Sequence, residues 1–282
     1  MPSKEKNILI GEAGGSGTQW RLAKGGDTSV EQFVTSGYNP QTSSIEVLLD
    51  QLTQQVPQPE LISEVYFYAA GLITQDHFLE TQNALQQLFP YAEVEVQSDA
   101  LVAARGLCGH HAGWIGFLGT GSGMVYYDGA AITQKIDSLG FILGDEGSGA
   151  YLGKILTRDY FRGRLPEALA EQLSASFQDL GTELEKIYST HHGNAHLARL
   201  AEAIFPYQAT PYVDQLLRNA FDDFFEAFAP GYIEQPIHFT GSIAFHFNGI
   251  LREVAATKGK SIGRVVQSPI AGLLLYHEDR VA

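Results

Sequence analysis

Acidic side chains beside short loops of glycine, serine and threonine are the residues in this chain that could do chemistry. Asp99 follows the alternating run EVEVQS and opens the segment DALVAARGLCG. That places a carboxylate at the C-terminal end of a strand, where a general base for an acceptor hydroxyl would stand. Capping of the helix that follows is its competing role. Glu12 ends the apolar run NILIG beside Gly14-Gly15-Ser16-Gly17-Thr18. It would orient Mg²⁺ through water, or it is only a solvent-facing strand end. Asp145 and Glu146 sit in LGDEGSGAYLGK ahead of a helix, a place that also suits carboxylates for capping alone.

Three loops accompany these acids. They are Glu12 to Thr18, Gly119-Thr120-Gly121-Ser122-Gly123, and Gly241-Ser242. Loops without large side chains let successive N–H groups converge on phosphate oxygens. The hydroxyls of Ser16, Thr18 and Thr120 add donors. Any one loop also reads as a tight hairpin. Together, two of them in equivalent places, they favour a nucleoside triphosphate held between two lobes.

The elements that position these residues follow from hydrophobic periodicity. Strands are expected at 7–11, 18–24 and 30–35, a helix at 43–55, a strand at 64–69 and a helix at 75–89. A strand at 93–96 precedes a helix that starts near Asp99. The pattern then restarts with strands at 114–118, 124–127 and 131–136. IGEAGGSGTQWRL at 10–22 and IGFLGTGSGMVYY at 115–127 share a strand–loop–strand form at an offset of 105 residues. This reads as a duplicated strand–strand–strand–helix–strand–helix unit. Helices are expected at 148–162, 166–177, 195–205, 211–229, 242–256 and 269–279, with strands at 237–240 and 262–267. In 211–229 the stripe Val213, Leu216, Leu217, Ala220, Phe221, Phe224, Phe225 and Phe228 has unbroken helical spacing and reads as core.

Composition narrows the function classes. The 282 residues carry 18 basic and 32 acidic side chains, a net charge of -14. Such a surface repels nucleic acid and anionic membrane. It still admits a phosphorylated small molecule, because backbone N–H groups bind phosphate without lysine or arginine. Windows 11–17, 113–129 and 140–153 hold four, six and five of the 30 glycines, so backbone must approach something closely there. Cys108 is the single cysteine, which forbids an intramolecular disulfide and a cysteine-rich metal site and suits a reducing cytoplasm. The N-terminal run MPSKEKNILI is too short in apolar residues for a secretory signal. The most apolar 20-residue stretch, 113–132, contains Asp128 and six glycines and is no membrane span.

Several motifs fail on inspection. The GKS of Lys258-Gly259-Lys260-Ser261 lacks the first P-loop glycine, since Val254 stands there. Gly147, Gly149 and Gly153 have the wrong spacing for a dinucleotide fingerprint and follow no clear strand. His110-His111 and His191-His192 have no metal-ligand spacing.

At these motifs the chain resembles the N-acetylglucosamine kinase and BadF/BadG-type ATPase family of the sugar kinase–Hsp70–actin superfamily. LGFILGDEGSGAYLGK at 139–154 carries the resemblance most specifically. SDALVAARGLCG at 98–109, FLGTGSG at 117–123, GYNP at 37–40, YAAGL at 68–72 and FTGSIAFHF at 239–247 support it. The resemblance implies an α/β duplicated actin-like (ribonuclease H-like) fold of two lobes. One would span 1–110, completed by the C-terminal helix 268–282, and the other 111–267. It implies a cytoplasmic ATP- and Mg²⁺-dependent kinase that phosphorylates the 6-hydroxyl of an amino sugar, first of all N-acetylglucosamine, with a homodimer left open. By resemblance Asp99 is the catalytic base. Asn39, Asp99, Ser122, Gly123, Gly140 and Asp145 bind the sugar. Gly14, Gly15, Ser16, Thr18, Thr120, Gly121, Gly241 and Ser242 bind the nucleotide, and Glu12 sits near the metal. Gly17 and Gly123 depart from the family pattern, where a basic residue and Asn are common. Two other functions use the same fold. An ATPase that activates a partner enzyme would need two cysteines per subunit for an iron–sulfur cluster, and this chain has one. A non-catalytic nucleotide or sugar sensor on the same fold is the other alternative, and the presence of Asp99 argues against it.

Overall fold

The computed structural model describes residues 6–14, 17–25, 29–188 and 193–278. The chain divides into two compact units, Met1–His110 with Pro269–Ala282, and His111–Ser268.

The first unit is built on β1 (Ile8–Ala13), β2 (Thr18–Ala23), β3 (Val30–Thr35), β4 (Glu64–Ala69) and β5 (Glu93–Ser98), in the spatial order β3-β2-β1-β4-β5. The hairpin strands pair antiparallel and β1, β4 and β5 run parallel. β4, EVYFYA, is buried along its whole length because both faces of the sheet are covered. One face packs Leu9, Trp20, Leu22, Val65, Phe67, Val94 and Val96 on α1 (Ile45–Gln55) and α2 (Gln75–Leu88). Ser44 and Thr74 cap these helices, accepting from the N–H groups of Glu46 and His77. The other face presents Ile8, Ile10, Tyr66 and Tyr68 to α3 (Asp99–Cys108) and α12 (Ile270–Glu278). A Cβ on Gly272 would lie 2.0 Å from the Gly106 carbonyl oxygen, so α3 and α12 meet at backbone contact.

The second unit repeats the plan. β6 (Gly113–Leu118), β7 (Ser122–Tyr127), β8 (Ile132–Ile136), β9 (Ile237–Thr240) and β10 (Ile262–Val266) lie in the order β10-β9-β6-β7-β8. Between β8 and β9 come α4 (Gly140–Leu143), α5 (Gly149–Phe161), α6 (Glu167–Leu173), α7 (Leu180–Tyr188), α8 (Gly193–Glu202) and α9 (Pro211–Phe228). α10 (Ser242–His246) and α11 (Asn248–Thr257) separate β9 from β10. All eight residues of the α9 stripe are buried. Phe224 packs on Phe225, Phe228 and Phe239.

Three sequence expectations change. The helix at 242–256 is two helices, broken at Phe247, whose ring is fully buried edge-on to Phe205; burying it outweighs helix continuity. The helix at 166–177 ends at Leu173 and continues as a short 3₁₀ turn, Ser174–Ser176. β7 begins at Ser122, so Ser122 and Gly123 lie in a strand and not in the loop before it. Helices α4 and α7 have no counterpart in the periodicity reading. Among the described residues no helix is long and apolar enough to cross a membrane.

Candidate active site

In the first unit the parallel strands end on one edge of the sheet. Ala13 pairs with Ala69, and Ala69 with Ser98, so the residues after them emerge side by side. Asp99 is the first residue of α3 and is exposed; its Oδ1 accepts the Ala100 N–H at 2.9 Å. Ser98, not Asp99, holds the cap position, and its side chain makes no cap bond. A carboxylate at a helix start on the carboxyl edge of a parallel sheet can take a proton from a bound hydroxyl.

Asn39 and Gly71 form one local structure on the same edge. Asn39 Oδ1 accepts the Gln41 N–H at 2.9 Å, and the Asn39 N–H donates to Ser43 Oγ at 2.7 Å. Gly71 has φ +80°, and a Cβ there would lie 2.1 Å from Asn39 Oδ1. Only glycine allows Asn39 to sit there. The Asn39 amide oxygen is therefore committed to the turn, and its Nδ2 is the donor the turn does not use.

Glu12 is half-buried near the end of β1. It shares a face with Arg21, because Glu12 pairs with Gln19 and Ile10 with Arg21. Burial draws the Arg21 guanidinium below its ordinary pKa, and the Glu12 charge opposes that shift. Among the described residues no three histidine, cysteine or acidic side chains group as a metal site. Gly14 is exposed and its N–H donates to the Gly17 carbonyl at 2.9 Å. Gly15 and Ser16 lie outside the described residues. Thr18 is fully buried and its hydroxyl donates to the Ser36 carbonyl at 2.8 Å, which pins β2 to the segment leading to Asn39.

The second unit builds its loops from backbone. The Gly149 and Ala150 N–H groups, in the first turn of α5, donate to the carbonyls of Gly119 and Thr120 at 2.8 and 3.0 Å. The Gly121 carbonyl turns back to accept the Gly119 N–H at 3.1 Å, and Thr120 and Gly121 keep N–H groups that bond to no other described residue. Gly241 has φ +117°, and a Cβ on it would lie 2.3 Å from the Leu118 carbonyl oxygen. The Gly241-Ser242 turn is therefore seated on the start of the Gly119 loop, a close approach that only glycine permits. Two of the three glycine-rich loops are joined in this way, backbone against backbone.

Asp145 adjoins them. It is 6% exposed, has φ +57°, and its Oδ1 accepts the Ser122 N–H at 3.2 Å. A side chain on Gly121 would press on this carboxylate at 3.1 Å. Ser122 Oγ is buried with no partner among the described residues. Gly123 has open space where a Cβ would point. Gly140 has φ +75° and starts the exposed turn α4. Ser148 caps α5, accepting the Tyr151 N–H at 3.1 Å. Glu146 lies next to Asp145, half-buried. Sequence reading does not single out Gly71 or Gly144 for the site. A lone glycine in a motif was their only signal, and the contacts that require them come from residues far along the chain or across a turn.

Comparison with solved structures gives the chain its relatives. It is similar to the putative N-acetylglucosamine kinase from Porphyromonas gingivalis, at 35% identity over 98% of this chain and 100% of that one, with a TM-score of 0.88. The putative N-acetylglucosamine kinase from Chromobacterium violaceum shares 21% identity, covers 96% and 99%, and superposes with a TM-score of 0.72. A ROK family glucokinase from Streptomyces griseus, in complex with glucose and AMPPNP, shares 15% identity over 98% and 100%, with a TM-score of 0.57. The last two share the actin-like fold of sugar kinases. No protein-family model matches the chain, and no curated protein matches it.

Proposed function

The chain belongs to the N-acetylglucosamine kinase family of actin-like sugar kinases, and from that premise we propose that it transfers the γ-phosphoryl group of ATP to the 6-hydroxyl of an amino sugar, in the first place N-acetylglucosamine. The observation that carries this reading is the 35% identity over essentially the whole of both chains, together with Asp99 exposed at the carboxyl edge of its sheet.

In this reading Asp99 accepts the proton of the sugar hydroxyl as that oxygen bonds to the γ-phosphorus and ADP leaves. Asn39, through Nδ2, and Asp145, through the Oδ2 that Ser122 does not occupy, hold sugar hydroxyls, with Ser122, Gly123 and Gly140 beside them. The free N–H groups of Thr120 and Gly121 and the first turn of α10 at Gly241-Ser242 receive the nucleotide, as do Gly14, Gly15 and Ser16. Thr18 holds the first loop's exit in place. Mg²⁺ bound with ATP supplies charge neutralisation at the phosphates, and Glu12 orients its water shell. A net charge of -14 is compatible with this, because backbone and cation carry the phosphate contacts.

The test is a coupled ADP-release screen with Mg²⁺ over N-acetylglucosamine, glucosamine, N-acetylmuramic acid and glucose. ADP release that depends on an added amino sugar is the expected result. Nucleotide and sugar binding without sugar-dependent ADP release would identify a sensor instead.

A further inference from the structure

Arg105 braces the corner between β5 and α3. It lies six residues after Asp99 on a helix of 10 residues and is 5% exposed. Its Nη1 donates to Glu95 Oε1 at 2.6 Å and to Tyr68 Oη at 2.8 Å. Glu95 stands on β5 four residues before Asp99, so that bond spans the turn from strand to helix. Tyr68 stands on β4, directly before the Ala69 that pairs with Ser98. The same guanidinium lies 5.1 Å from the centre of the Tyr276 ring on α12, and the Tyr68 hydroxyl bonds to His277 Nε2 at 2.7 Å. One cation thus ties α3 to the two strands at its start and to the helix beside it.

Stability alone does not ask for this arrangement. Buried ion pairs commonly give no more than well-packed apolar side chains of the same volume. Arg105 Nε is also buried with no partner among the described residues, which is destabilising. What directional bonds supply is orientation. The start of α3 has no side-chain cap to orient it, because Ser98 holds the cap position and makes no cap bond. Close contact of Gly106 with Pro269 and Gly272 seats the far half of the helix. Asp99 is its first residue, and a reacting group displaced by about 1 Å can lose about 10²-fold in rate. We propose that Arg105 is a positioning residue for the reaction, holding the first turn of α3, and with it the Asp99 carboxylate, at the angle that proton transfer requires. The inference rests on the reading of Asp99 as the base.

The test is a double-mutant cycle between Arg105 and Asp99, with sugar-dependent ADP release measured well below the melting temperature of every variant. Arg105→Met is expected to lower kcat about 10- to 100-fold and to keep KM for ATP and for the sugar within about twofold. Arg105→Lys, which retains a cation and a donor, recovers most of that loss. In the Asp99→Asn background Arg105→Met lowers kcat by less than about twofold, because no base is left to place. An equal loss in both backgrounds overturns the proposal. So does a loss confined to KM, or a kcat that Arg105→Met leaves unchanged. If Arg105→Met does not fold, Tyr68→Phe, which removes one hydroxyl, runs the same cycle with a smaller loss and is judged in the same way. Near-normal turnover of Asp99→Asn fails the base reading, and a wild type that phosphorylates no sugar fails the kinase reading. Either result appears without any change at Arg105 and overturns the positioning role as well.

Discussion

The two sheets have the same strand order, three hairpin strands followed outward by two parallel ones, yet pack their central helices in opposite ways. Beneath α3 and α12 the first unit buries a polar network. Arg105 Nη1 donates to Tyr68 Oη at 2.8 Å and to Glu95 Oε1 at 2.6 Å, and the Tyr68 hydroxyl bonds to His277 Nε2 at 2.7 Å. Tyr66 stacks on His277 at 3.4 Å and donates to Glu64, which Lys6 pairs. Beneath α9 the second unit buries phenylalanine on phenylalanine. The candidate site residues differ as well: the first unit carries the Asp99 and Asn39 side chains at its edge, while the second sets the single buried carboxylate of Asp145 beside backbone loops locked to α5. A polar packing face fixes the angle of α3, and with it the place of Asp99, through directional bonds. An apolar face seats α9 by volume, and its directional contacts, such as Tyr151 with Asp223 and Tyr212 with Asp159, lie at the margin of that face.

That contrast is open to test, beginning where the effect is largest. Asp99→Asn should lower turnover by about 10²–10⁴-fold, about 3–5.5 kcal/mol of barrier, and leave the melting temperature alone because the side chain is exposed. Near-normal turnover would remove Asp99 from the chemistry. Phe224→Ala should cost about 3–5 kcal/mol in urea unfolding, since the ring is fully buried among three others. Arg105→Met should cost about 3 kcal/mol by removing the buried guanidinium's bonds to Glu95 and Tyr68. A loss as small as that of a surface substitution would mean that the network does not hold α3. Gly241→Ala should destabilise by about 1–3 kcal/mol through its positive φ and the Leu118 carbonyl, and should raise KM for ATP. Gly14→Ala, whose Cβ meets Gly17 at 3.5 Å, an ordinary contact, should stay within about 0.5 kcal/mol. Equal costs would show that the two loops are built alike.

The smallest effect concerns acid stability. Glu183 is buried, which pushes its carboxyl pKa up. The hydrogen bonds from His196 at 2.6 Å and from the Gln178 N–H, with the charges of His196 and Lys186, reverse that shift and hold the pKa below its ordinary value. A depressed folded-state pKa contributes stability above the unfolded value near 4.5, and this is lost as pH falls through the folded value. Glu183→Gln should therefore show a flatter melting temperature between pH 5 and pH 3 than the wild type.

Sequence by itself determined the frame. Alternating strands, the repeat at an offset of 105 residues, the α9 stripe and the glycine clusters are local or periodic signals. Such signals survive without knowledge of what packs where. A duplicated α/β frame follows from them, the actin-like fold came from the motif resemblance, and Asp99 was legible as a candidate because a strand ending at a carboxylate and a helix start is a local pattern. Tertiary structure decided the rest. Phe247 breaks a helix that periodicity would continue, because its ring has a place in the core. Asn39 needs Gly71, 32 residues away, and Gly241 needs the backbone of Leu118. Asp145 adopts a left-handed conformation held by Ser138, Ser122 and Ser148. Each of these depends on contacts between segments distant in sequence or on a positive φ imposed from outside the residue. A one-dimensional pattern carries no record of either.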